Sequence, residues 1–198
     1  MSAKNQDKRL EKGMQTNTRI LHSAIDIISE SGISGITASK LSVRSGVSKS
    51  TIFHHYNSIK EVPEAVLALI FSDLLKPLDS QEFDDLEGYL YYLGTSIINI
   101  PNEYLKIYRS FFSFYNEAMF IEAYQETLNN YAVKSKRLIS KQVKMYSDNL
   151  VSIEDADVIS HLLLALLDGI GLHSLIGANQ EESIKAWELQ VKLICRYL

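Results

Sequence analysis

Apolar residues recur at intervals of three and four along almost the whole chain, and strand-like alternation is hard to find. Between 18 and 31, Ile20, Ala24, Ile27 and Ile28 stand at i, i+4, i+7 and i+8, and Gly32 closes the run, so a first helix is expected there. A short helix over 38–45 follows, with Thr37 placed to cap it. After Gly46-Val47-Ser48 comes a helix over 49–55, which Ser48 opens because its hydroxyl can accept first-turn N–H groups. Ser58 and Glu61 have capping-box spacing and open the next helix. Pro63, about five residues into it, lacks a backbone donor and is expected to distort the first turn. Further helices are expected near 82–99, 102–116, 119–147, 153–176 and 180–197. Their breaks fall at Pro101, around Ser147-Asp148-Asn149 and at Gly177-Ala178-Asn179. Polar residues 1–15 read as a disordered basic arm. The fold class is all-α.

Composition adds few surprises to that outline. The chain has 198 residues, 46% hydrophobic and 22% charged, as in ordinary globular proteins. Its single cysteine, Cys195, excludes an intrachain disulfide and fits a reducing compartment. Residues 1–15 lack the apolar stretch of a signal peptide. The most apolar run, Leu162 to Leu167, is far short of the roughly 20 residues that span a bilayer. A cytoplasmic protein without a membrane partner is expected.

Charge changes the picture more. The net charge of −4 is unevenly placed: residues 1–60 hold nine Lys and Arg against four Asp and Glu, a net of +5, which leaves −9 for the remainder. A positive front on an acidic body suits contact with a polyanion at one end.

The stretch "SGVSKSTIFHHYNSIKEV" sets His54 and His55 side by side. Neighbouring helix residues diverge by about 100°, whereas a helical zinc pair needs i, i+4 spacing, so no metal site is expected. Two short helices around a glycine-containing turn instead make a helix-turn-helix, whose second helix can enter the major groove. Leu41, Val47 and Ile52 supply its inner face against Ile20, Ala24 and Ile36. Lys49, Ser50, Thr51 and His54 supply an outer face able to reach base edges or phosphates.

On these residues the chain resembles the tetracycline-repressor (TetR) family. The likeness runs through Arg19-Ile20-Leu21, Ala24, Gly32, Thr37, Leu41, Gly46-Val47-Ser48, Thr51, His55, Tyr56 and Ser58. It spans 16–62, a quarter of the chain. The resemblance implies a three-helix DNA-binding domain over 16–62 and a larger helical ligand-binding and dimerisation domain over 63–198. The DNA-binding residues expected are Thr37, Ser48, Lys49, Ser50, Thr51, His54, His55, Tyr56 and Lys60. Phe53 stands where the family usually has a tyrosine that meets a phosphate, Ile59 where a lysine is common, and Ser50 where a glycine is frequent. Lys60, Thr37, Tyr56 or the N-terminal arm are the expected substitutes.

In the remainder, nine aromatic residues crowd positions 101–131. Part of this is ordinary core. So many tyrosine hydroxyls also suit a small-molecule pocket, with Tyr92 and Ser96 facing Tyr108, Phe112 and Tyr115. Such a pocket suits a flat or cationic ligand. Tyr89 is a further candidate for its wall. Asp157, His161 and Asp168 interrupt an otherwise apolar helix that should be buried on more than one side. His161 and Asp168 could be a base and its orienter, polar contacts to a ligand, or a satisfied core pair; no adjacent nucleophile favours the first. Gly169 and Gly171 allow close helix approach. Ile184, Trp187, Val191, Ile194, Cys195 and Leu198 form a stripe that packs within one chain or, as the resemblance implies, lies in a four-helix dimer interface with Gly169 and Gly171. Cys195 reads as a small buried hydrophobe.

The expected function is a homodimeric repressor without cofactor, bound to a palindromic operator in double-stranded DNA and released by a small-molecule ligand. Ligand would tilt the helix beginning near Ser58. A DNA-binding module controlled by a protein partner or by DNA itself is the alternative, and a helical enzyme a distant third.

Overall fold

A computed structural model describes residues 3–80, 82–147 and 151–198. All regular elements among the described residues are helical: α1 (Ala3–Ser31), a 3-10 turn (Ile33–Gly35), α2 (Ala38–Ser45), α3 (Lys49–His55), α4 (Glu61–Ser80), α5 (Leu86–Ile98), α6 (Leu105–Ala118), α7 (Glu122–Tyr146), α8 (Ile153–Leu175) and α9 (Gln180–Tyr197). The expected break at Asp148-Asn149 lies outside the described residues. Two compact units result, one comprising residues 1–71 and 109–125, the other 72–108 and 126–198. The division expected at 62/63 is displaced, because the first half of α4 buries Val62, Val66, Leu67, Ile70 and Phe71 in the smaller unit.

Residues 3–15 are helical and continue α1 toward the N-terminus, which corrects the expectation of a disordered arm. The stretch has no proline, and its Lys, Gln, Arg, Glu, Leu and Met are straight-chain or strong helix formers, so an existing helix extends through it at little cost. Pro63 is the third residue of α4, where its absent N–H would have had no intrahelical partner, so the distortion expected of it has no cause. The capping box is shifted by one residue: the Glu61 carboxylate accepts from Asn57 N–H at 3.1 Å, while Ser58 Oγ accepts from Lys60 N–H at 3.3 Å.

In the larger unit, α5 packs chiefly on α9 and on α8. Leu86, Leu90, Leu93, Leu163, Leu167, Trp187, Val191 and Ile194 fill this core. The buried indole of Trp187 donates from Nε1 to the Leu90 carbonyl at 2.9 Å. It can do so because residue 94 has no side chain: a Cβ there would stand 2.2 Å from the ring.

Trp187, Val191 and Ile194 are therefore core residues of one chain, as is the buried Gly171, which removes them from the expected dimer interface. Cys195, one position beyond Ile194, turns outward and is exposed. Its thiol is pushed up by partial burial, with Glu87 and Asp85 adding to the shift. Tyr89 is likewise core, stacked on Tyr146 at 5.7 Å.

The helix α8 corrects a second expectation. It buries Ala156, Ile159, Leu163 and Leu167 but leaves Val158, Leu162, Leu172 and Ile176 exposed, so it is covered on one side only. By length and composition it could cross a membrane, with mean hydropathy 1.6 over eighteen residues, of which 33% are buried. The apolar run judged too short is extended by the turns around it, since Asp168 interrupts the run without lowering the average enough.

Gly94→Ala should destabilise the protein by about 1–3 kcal/mol, because the methyl group forces the indole out of place. Denaturant midpoints measure this. Gly169→Ala, with open space at its Cβ position, is the control; equal loss in both would refute the account.

Candidate nucleic-acid interface and polar cluster

The turn between α2 and α3 is three residues long. Gly46 ends α2 at φ 64, a left-handed conformation that costs glycine nothing. Ser48 then opens α3 by accepting from Thr51 N–H at 3.1 Å. Thr37 caps α2 in the same way, accepting from Lys40 N–H at 3.2 Å. With Leu41, Val47 and Ile52 buried, the orientation of α3 is set from inside. Lys49, Ser50, Phe53 and His54 are exposed as a result, and Thr51 and His55 are half-exposed.

The hydroxyls at the start of α3 form a small network. Ser48 Oγ lies 2.8 Å from both Ser50 Oγ and Thr51 Oγ1. A serine oxygen has one proton and two lone pairs, and the Thr51 N–H occupies one of the latter. Ser48 therefore donates to one of its two neighbours and accepts from the other. The neighbour that accepts keeps its own proton available to an outside acceptor such as a phosphate or a base.

Tyr56 is corrected as a DNA contact. It is buried, and its hydroxyl donates to Asn17 Oδ1 at 2.6 Å, fastening the end of α3 to α1. Burial raises its pKa, and the Asn17 bond offsets part of that rise. Two features of this region escaped sequence reading. Asn17 sits three and seven residues before Ile20 and Ala24, in register with the inner face of α1, which was the available signal. Arg44 pairs bidentately with Glu30 at 2.9 and 2.6 Å and approaches Asp26 at 3.8 Å, tying α2 to α1. The Glu30 hydrogen bond and charge raise its pKa. No local spacing announces a pair fourteen residues apart. Lys40, Lys49 and Lys60 are exposed cations of the same unit.

The expected ligand residues divide between the two units. Phe112 and Tyr115 belong to the smaller one, where both pack against Phe111 (5.1 and 5.3 Å), which meets Phe71 at 5.8 Å. His161 is exposed and lines an open groove with Ile153, Glu154, Asp157 and Val158. Asp157 accepts from Ser140 Oγ at 2.7 Å. The Ser96 hydroxyl donates to the Leu93 carbonyl of its own helix at 2.8 Å.

Within the larger unit a different set comes together. The Tyr108 phenol is pushed up to about 12, by burial first and by Tyr92 second. Burial raises Tyr131 further; the neighbouring Ser135 opposes the shift, and the charges of Asp168 and Tyr108 add to it. Tyr108 is thus a neighbour of both Tyr92 and Tyr131, and Tyr131 of Asp168. Tyr131 was among the aromatics noted in the sequence, but helical spacing could not join α7 to α8.

Residues 20–66 match the family described as bacterial regulatory proteins, tetR family. Over 173 residues, 85% of this chain and 83% of the relative, the chain is 26% identical to the HTH-type transcriptional regulator BetI of Vibrio vulnificus (strain YJ016). Its fold is similar to that of a transcriptional regulator from Rhodococcus sp. Rha1, with a TM-score of 0.79, 20% identity, and 91% and 96% of the two chains covered. It is also similar to a Saccharomonospora viridis protein crystallised in complex with choline, with a TM-score of 0.73, 19% identity, and 90% and 96% covered.

Two substitutions separate the roles on α3. Lys49→Ala should weaken binding to the specific operator by about 1–3 kcal/mol while sparing mixed-sequence DNA; equal loss on both duplexes would assign Lys49 to phosphate instead. Tyr56→Phe should cost about 1 kcal/mol of folding stability. Unchanged stability with lost DNA affinity would return that hydroxyl to the interface.

Proposed function

Because this chain belongs to the TetR family of transcriptional regulators, DNA-binding proteins and not enzymes, we propose that it acts as a homodimeric repressor released from a palindromic operator by a small organic cation of the choline type. The reading of His161 and Asp168 as catalytic residues is thereby withdrawn. The observation that supports the ligand assignment is the chain of neighbours from Tyr92 to Tyr108, Tyr108 to Tyr131 and Tyr131 to Asp168. Aromatic faces attract a quaternary ammonium group through the ring quadrupole, and a carboxylate supplies the opposite charge. Burial keeps the Tyr108 and Tyr131 phenols neutral. The likeness to a protein that binds choline supports the same chemistry.

The dimer assignment rests on the outer faces of α8 and α9. Val158, Leu162, Ala165, Gly169, Leu172 and Ile176 follow one another at spacings of 4, 3, 4, 3 and 4, and all six are exposed. That is a helix-packing seam. On α9, Leu189, Leu193 and Tyr197 form a second exposed stripe, at 58%, 52% and 71%. A symmetric partner would cover both and remove this apolar surface from water. Of the interface residues expected from sequence, Gly169 alone belongs to this seam.

Release requires that the ligand prefer the conformation that does not hold DNA. The helix α6 suits this coupling. It begins in the larger unit, at 105–108 beside Tyr108, and continues in the smaller one. There the buried Ser110 hydroxyl donates to the Ile25 carbonyl of α1 at 3.0 Å. A shift of Tyr108 is two residues from a bond to the DNA-binding helices.

Choline should raise the melting temperature and weaken operator binding in fluorescence anisotropy, and Asp168→Asn should abolish both effects while leaving binding without ligand intact. No response to choline or to larger quaternary ammonium ions would overturn the ligand assignment. Leu162→Glu should convert dimer to monomer in light scattering; a persistent dimer would place the interface elsewhere.

A further inference from the structure

Six serines are buried among the described residues, and five of them share one arrangement. Ser23, Ser45, Ser110, Ser140 and Ser160 each donate from Oγ to a carbonyl or carboxylate oxygen at 2.6–3.0 Å. Ser135 does not. It is 0% exposed, and its Oγ has no hydrogen-bond partner. Inside a helix a serine commonly bonds the carbonyl four residues back, as Ser23 and Ser45 do with Arg19 and Leu41. The Ser135 hydroxyl makes no such bond to Tyr131.

A buried hydroxyl without a partner is destabilising, since it gives up its bonds to water and gains none. Alanine at this position would remove that penalty and is the better helix former. Packing does not call for the residue either. The one other hydroxyl in this condition among the described residues, that of Tyr89, sits on a ring that packs on Phe83 and Tyr146 at 5.4 and 5.7 Å. Serine has no such ring to place.

Ser135 is one turn beyond Tyr131 on the inward side of α7, and Ile139, one turn further, is 0% exposed as well. It neighbours Tyr131, as do Asp168 and Tyr108. The orphaned hydroxyl therefore adjoins the aromatic and acidic groups assigned above to an organic cation. Those groups recognise positive charge and little else, because a ring face and a carboxylate attract any ammonium ion that fits. A hydroxyl, with one donor and two acceptor lone pairs, orients a ligand by a polar atom placed beside the charge. One helical turn is about 5.4 Å, so a short carbon arm joins a nitrogen near Tyr131 to an oxygen near Ser135.

We infer that Ser135 Oγ is the hydrogen-bonding contact for a hydroxyl group on the ligand, so that the site takes a quaternary amino alcohol in preference to an ammonium ion with apolar arms only. This rests on the organic-cation reading and adds to it the neutral half of the recognition. The hydroxyl that is unpaired in the free chain then gains its partner when ligand is bound.

Choline and propyltrimethylammonium test it, because they differ only in a hydroxyl exchanged for a methyl group. In titration calorimetry the natural chain should bind choline about five- to tenfold more tightly, the effect of one neutral hydrogen bond. Ser135→Ala should erase that preference through weaker choline binding and leave propyltrimethylammonium binding unchanged. Without ligand the same variant should melt about 2–4 °C higher, which loss of a structural contact would not produce. Equal affinity of the natural chain for the two ions, or a preference retained by Ser135→Ala, would overturn the inference and leave the cation reading in place. A variant that melts lower or fails to fold would also overturn it, by showing that the hydroxyl stabilises the free chain. Binding of neither ion would remove the cation reading, and this one with it.

Discussion

The three-residue turn from Gly46 to Ser48 is the constraint on which the rest of the DNA-binding unit depends. It reverses the chain within a span that only a left-handed glycine and an immediate helix cap allow. Without the left-handed step α2 would run on. Without the Ser48 cap, the first turn of a seven-residue helix would have N–H groups with no partner. The burial of Leu41, Val47 and Ile52 then leaves α3 one orientation, and the side chains that face outward follow from it. Tyr56 and Arg44 complete the arrangement from either end. Tyr56 looks like a DNA contact in the sequence, yet it and Arg44 are both committed to α1, so the unit holds its own shape before any DNA is present.

The larger unit is organised around a different economy of faces. Its core is closed by one indole that reaches a backbone carbonyl past a glycine, and this fixes α9 against α5. With that packing made, the second apolar stripes of α8 and α9 stay exposed among the described residues. Two amphipathic helices with apolar residues on opposite sides cannot both be satisfied by one small core. The proposed association between copies would be a physical outlet for that surplus.

Most of the helices were legible, because a 3.6-residue period, caps and breakers are local properties. The short helices around Gly46 coincide with the expected ranges for this reason, as do the caps at Thr37 and Ser48. The failures share one cause: they concern which side of a helix meets what. The apolar stripe on α9 was plain, but whether Trp187, Val191 and Ile194 faced α5 or a second subunit was undetermined, since both faces are apolar. Aromatic crowding between 101 and 131 was visible, yet its division between two units depends on tertiary packing. The same holds for Asp168 meeting Tyr131, and for Asn17 meeting Tyr56 across 39 residues of sequence. Helicity in residues 3–15 was missed for another reason. Polarity alone reads as disorder, although straight-chain residues continue a helix that is already nucleated.

Cys195 is the sole sulfhydryl of the chain, and its placement has a bearing on cellular oxidants. It is reachable from solvent, but partial burial and the carboxylates of Glu87 and Asp85 keep it in the protonated form. The thiolate is the form that attacks peroxides and disulfides, so this sulfur reacts slowly with them. Oxidation at this one sulfur is therefore slow, although it lies open to solvent.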